Sequence, residues 1–93
     1  MIWRLIITPG AEHDFNRFSD PEKQRIKNEL YTLADDEYPR KRLKKLKGNR
    51  DSPLYALRVG RFRIILIIED ENMVIIVIEM LSLIHISEPT RPY

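Results

Sequence analysis

The chain contains no cysteine. A disulfide framework, a thiolate metal site and a cysteine nucleophile are therefore excluded. Histidine is nearly absent as well: His13 and His85 are too few for a histidine-rich zinc site. With only three glycines there is no glycine-rich phosphate loop and no dinucleotide fingerprint. Long apolar runs are missing too. The longest, Ile64–Ile68 and Met73–Ile78, fall far short of the roughly 18 residues needed to cross a bilayer. No basic stretch followed by a long apolar one opens the chain, so no secretory signal and no membrane association are expected. The cytoplasm is the expected compartment.

What is present is an ordinary globular composition on a small scale. Hydrophobic residues make up 43% and charged residues 32% of 93 positions, enough for one domain with a thin core. The net charge of +2 hides an uneven distribution. Acids and bases balance as far as Ala34. Asp35, Asp36 and Glu37 then form an acidic knot, followed by Arg40, Lys41, Arg42, Lys44, Lys45, Lys47 and Arg50 with no acid between them. Such local basicity suits a polyanion, although a charge run by itself is more often a solvated face or loop.

The chain punctuates itself clearly. Ile2–Thr8 is rich in β-formers and ends at Pro9-Gly10, which predicts a first strand with Trp3, Leu5 and Ile7 on one face. Ala11, Phe15 and Phe18 recur at helical spacing and predict a short helix over 10–18. Ser19 with Glu22 forms a capping box, and Pro21 suits the first turn of a second helix. Ile26, Leu30, Leu33 and Ala34 line one face of that helix, and Pro39 stops it. Three strands are predicted after the basic segment: Leu54–Val59, Arg61 or Phe62 to Glu69, and Met73–Glu79. The expected order is β-α-α-β-β-β, an α+β fold with two N-terminal helices on one face of a small, mainly antiparallel sheet. Glu69, Asp70 and Glu71 read as a polar turn rather than a metal site, and His13 as a surface residue.

Register makes the sharpest prediction. If Gly60-Arg61 is a two-residue type II′ turn, Val59 pairs with Phe62 and Arg58 lies opposite Arg63. Alternation then puts both arginines on the face that Val59 and Phe62 avoid. Like charges set directly opposite each other are destabilising by up to about 1 kcal/mol. Two readings follow: an anion site built of guanidinium forks, or arginines that pair with sheet carboxylates such as Glu69 or Glu79 or simply snorkel to solvent.

The final residues, Leu81–Tyr93, break the pattern. Leu81–Arg91 resembles the one-frame translation of a transposase sequencing adapter. The expected native domain is therefore 1–80, with 81–93 a non-native tail and the gene's own C-terminus missing. A genuine strand over Leu81–Ile86, ended by Pro89, is the alternative.

Leu43-Lys44-Lys45-Leu46-Lys47-Gly48, followed after a short loop by Leu54-Tyr55-Ala56-Leu57-Arg58-Val59-Gly60-Arg61-Phe62-Arg63-Ile64-Ile65, resembles the RelE/ParE superfamily of type II toxins. There the pattern runs L-K-G, then Y-R-L-R-V-G-D-Y-R-V-I. The resemblance covers 1–80 and implies the same α+β fold. It implies a RelE-like endoribonuclease that cuts messenger RNA on the ribosome, with no metal or cofactor, and so inhibits translation. ParE-like poisoning of DNA gyrase, or a degenerate antitoxin-binding module, is the alternative. Implied partners are a cognate antitoxin, the ribosome and its messenger, with operator DNA reached only through the antitoxin complex. Position by position, Arg63 matches the arginine that stabilises the scissile phosphate, and Arg58 matches the other arginine of the motif. Lys44, Lys45, Lys47 and Arg61 match the basic approach to RNA. Two departures stand out. Leu54 and Ala56 stand where the family frequently carries a lysine base, and its C-terminal basic residue and tyrosine are not matched, Tyr93 included.

Overall fold

The computed structural model describes residues 2–46 and 53–83. Strand β1 (Arg4–Ile7) leads into helix α1 (Pro9–Asn16) and helix α2 (Asp20–Ala34). A 3₁₀ turn (Pro39–Arg42) and a two-residue strand β2 (Lys44–Lys45) follow, then β3 (Tyr55–Val59), β4 (Phe62–Glu69) and β5 (Val74–Ser82). The sheet runs β1-β5-β4-β3-β2. Among the described residues only β1 pairs in parallel, with β5; the other neighbours are antiparallel. This is the predicted α+β arrangement with one addition, the short edge strand β2.

Local chemistry accounts for the helices. The Ser19 hydroxyl accepts from the Glu22 amide while the Glu22 carboxylate accepts from the Ser19 amide, completing the predicted capping box. Ile26, Leu30, Leu33 and Ala34 are all buried. The orphan carbonyl of Ala34 at the helix end accepts from the Ile2 and Trp3 amides, and the Trp3 indole donates to the Asp36 carbonyl at 3.0 Å. Helix α1 starts one residue earlier than predicted. Thr8 is its cap, accepting from the Ala11 amide at 3.3 Å, and Pro9 takes the first helical position rather than merely breaking the strand. The Thr8 hydroxyl also donates to the Val77 carbonyl, tying the helix start to β5.

Both helices cover one face of the sheet. Ala11, Ile26, Leu30 and Leu33 share a buried cluster with Leu57, Val59, Phe62, Ile64, Leu66, Ile75, Val77 and Met80. Gly60 takes φ 59° and Arg61 does not go positive, as a type II′ turn requires. Val59 faces Phe62 and Arg58 faces Arg63, the predicted register.

Strand β5 departs from expectation in two ways. It starts at Val74 and runs to Ser82, so Leu81 and Ser82 pair with Arg63 and Phe62 beyond the predicted end at Glu79. The Leu83 amide then donates to the Arg61 carbonyl. Residues 84–93 of the adapter-like segment lie outside the described residues. The strand also contains a bulge between the Leu66–Val77 and Ile65–Glu79 pairs, which leaves Ile78 without an opposite number.

Candidate anion-binding face

The sheet face turned away from the helices is read from the pairing. One cross-strand row holds Arg58, Arg63 and Leu81; the next holds Lys44, Ala56, Ile65 and Glu79. Residues directly opposite share a face, so Lys44, Arg58 and Arg63 stand together on this surface. The Arg58 guanidinium donates from Nε to the Gly60 carbonyl at 3.2 Å, which steadies it beside the turn. Arg63 makes no hydrogen bond or ion pair with any described residue. Neither arginine pairs with Glu69 or Glu79. Glu69 instead accepts from the Asn72 amide and side chain and closes the β4–β5 turn.

Not every cation expected at this surface is found there. Arg61 leans to the helix side and pairs with Glu22 of α2, its guanidinium over the Phe62 ring. The Glu22 carboxyl is held below its usual range, first by the Ser19 amide and then by Arg61. Lys45 lies opposite Tyr55, whose side chain belongs to the core, so strand alternation separates Lys45 from Lys44. Lys47 falls outside the described residues.

Two bases of the cationic run have structural work instead. Arg42 pairs with Asp36 at 2.6 Å, and that bond, more than any other, holds the Asp36 carboxyl below the usual carboxylate range. Arg40 makes a two-pronged contact with Asp70 at 2.8 and 2.7 Å and donates from Nε to the Tyr55 hydroxyl at 3.0 Å. It therefore ties the 3₁₀ turn to β3 and to the β4–β5 turn. The sequence showed these arginines only as members of a charge run; their acid partners lie far along the chain or just before it.

The Arg40–Asp70 contact has a pH signature. Hydrogen bonds from Arg40 depress the Asp70 pKa. Its contribution is thus fully present above the ordinary aspartate range, roughly pH 4, and is lost as pH falls through the lower folded value. Because the pair is partly exposed, Asp70→Asn should cost only about 0.5–1 kcal/mol at neutral pH. The difference from the parent should shrink below roughly pH 4. Urea melts at several pH values check this; a constant difference down to strongly acid pH would contradict it.

Two hollows lie on the helix side. One of about 280 Å³ is lined by Leu5, Ile7, Phe15, Leu30, Tyr31 and Met80. Another of about 420 Å³ sits by Arg17, Glu22, Arg61 and Phe62. Neither includes Arg58 or Arg63. The basic face is open, as suits an extended polyanion gripped through its backbone.

No protein-family model and no curated protein matches the chain. Solved structures do. The chain is similar to the archaeal RelE–RelB complex from Pyrococcus horikoshii OT3, with a TM-score of 0.75 and 22% identity over 89% of this chain and 97% of that one. It is similar to the intact E. coli RelBE toxin–antitoxin complex, with a TM-score of 0.67 and 20% identity over 86% and 95% of the two chains. The Mycobacterium tuberculosis RelBE2 toxin–antitoxin complex gives a TM-score of 0.62 at 18% identity over 88% and 99%. The fold is RelE-like, in agreement with the resemblance carried by the motif around Arg58 and Arg63. Among the described residues no helix is long and apolar enough to cross a membrane.

Proposed function

We propose that this protein is the toxin of a type II toxin–antitoxin pair and acts as a cytoplasmic, RelE-like endoribonuclease on ribosome-bound messenger RNA. The observation that carries the reading is the Arg58–Arg63 cross-strand pair, set on the sheet face that the helices leave open. Two guanidinium groups side by side are a poor choice for stability and a good one for a phosphate. Arg63 stands on a central strand and supplies fixed positive charge where a phosphorane-like transition state gathers negative charge. Arg58 and Lys44 extend the cationic surface along the RNA backbone. A cognate antitoxin is the implied partner, since the similar structures include toxin–antitoxin complexes.

The experiment is a cleavage assay on purified ribosomes programmed with a short messenger. The protein should cut the messenger on the ribosome and leave the same RNA intact when free. An intact messenger under both conditions would turn the assignment toward a protein target such as gyrase.

A further inference from the structure

The basic face also carries an acid, and a deviation in the backbone puts it there. Ile75 and Val77 of β5 point into the core and are fully buried. Regular alternation would send Glu79 in after them. The bulge at Ile78 reverses the alternation: Met80 enters the core, while Glu79 is exposed on the face shared by Arg63. Bulges are a recurrent means of re-aiming one side chain beside a functional surface.

Glu79 sits opposite Ile65, and Arg63 is the next residue of β4 on that face. The two are diagonal neighbours, with an expected separation of about 7–8 Å. At that spacing two long side chains can both reach one ribose-phosphate unit laid over the sheet. Glu79 makes no hydrogen bond or ion pair with any described residue, unlike Glu69, which is occupied by its turn. The two rows also hold Ile65 and Leu81 close by, Ala56 and Arg58 two strands away, and Lys44 three strands away at the sheet edge, too far to act beside Arg63. The arginines do not give up their protons, and the apolar residues cannot accept one.

We propose that Glu79 is the proton acceptor of this site, an inference that rests on the ribonuclease reading above. The 2′-oxygen of the bound ribose forms a bond to the phosphorus held by Arg63, and its proton passes to the Glu79 carboxylate. The bond from phosphorus to the 5′-oxygen breaks, and that oxygen takes a proton from water. The products are a 2′,3′-cyclic phosphate and a 5′-hydroxyl end. A carboxylate beside a polyanion opposes binding, so its role lies in the chemical step.

The test uses the full chain on programmed ribosomes. Single-turnover cleavage is measured beside binding to ribosomes whose messenger carries 2′-methoxy groups at the cleavage site and cannot be cut. Glu79→Gln should lower cleavage about 10²–10⁴-fold while binding stays equal or tightens. Glu79→Asp, which keeps a carboxylate, should recover part of the rate. Glu79→Ser should show the same split as the glutamine variant, and guards against a disturbed bulge. Cleavage by Glu79→Gln within threefold of the parent would overturn the proposal and leave the ribonuclease reading standing. Parallel loss of binding and cleavage would also overturn it, in favour of a structural role. A parent that does not cut at all would remove both readings together.

Discussion

Arg63→Ala should lower single-turnover cleavage on programmed ribosomes by about 10²–10³-fold, while the protein stays folded. The argument is positional. Arg63 stands on β4, flanked by β3 and β5, and is half-buried. A charge held on a rigid strand acts on the transition state without reorganising, which is why one preorganised donor is worth roughly 3–4 kcal/mol. Lys44 lies on a two-residue edge strand and is exposed. Its replacement by alanine should mainly weaken binding in a salt-dependent way, with a smaller effect on the chemical step. Removing Arg63 also relieves the like charge opposite Arg58, so folding stability should hold or rise slightly. A rate within threefold of the parent would contradict the assigned role.

One residue away the expectation reverses. Phe62→Ala should cost about 3–5 kcal/mol of stability. Phe62 is buried at 4% exposure, and its ring meets Phe18 with centroids 4.6 Å apart. It therefore joins the hairpin to the region between α1 and α2. In a domain this small the midpoint should fall by roughly 15–30 °C, readable by circular dichroism. A loss below about 1 kcal/mol would mean that Phe62 is not inward, and so that the strand register is shifted by one residue. The pair Phe62→Ala and Arg63→Ala thus separates core from site along a single strand.

Most of this contrast was legible in the sequence. Gly60-Arg61 fixes the turn, the turn sets the register, and the register assigns Val59 and Phe62 to the core and Arg58 and Arg63 to the other face. The helix faces and the capping box followed from spacing and local hydrogen bonding in the same way. What escaped depended on partners distant in the chain. Nothing local shows that Arg61 turns to Glu22 or that Arg40 turns to Asp70. The edge strand β2 exists because β3 offers it a pairing edge, not because two lysines favour strand. The bulge did leave a trace. Ile75 and Val77 are two apart, whereas Val77 and Met80 are three apart, with a glutamate where strict alternation would need an apolar residue. In a strand apolar on both faces, that single misfit was easily read as an ordinary strand end.

The most direct test of the central claim is to induce the protein in growing cells and map messenger RNA 5′ ends, alongside an Arg63→Ala control. The account predicts translation arrest with new 5′ ends inside coding regions, and their disappearance in the control. Growth arrest with intact messenger and broken DNA would contradict it.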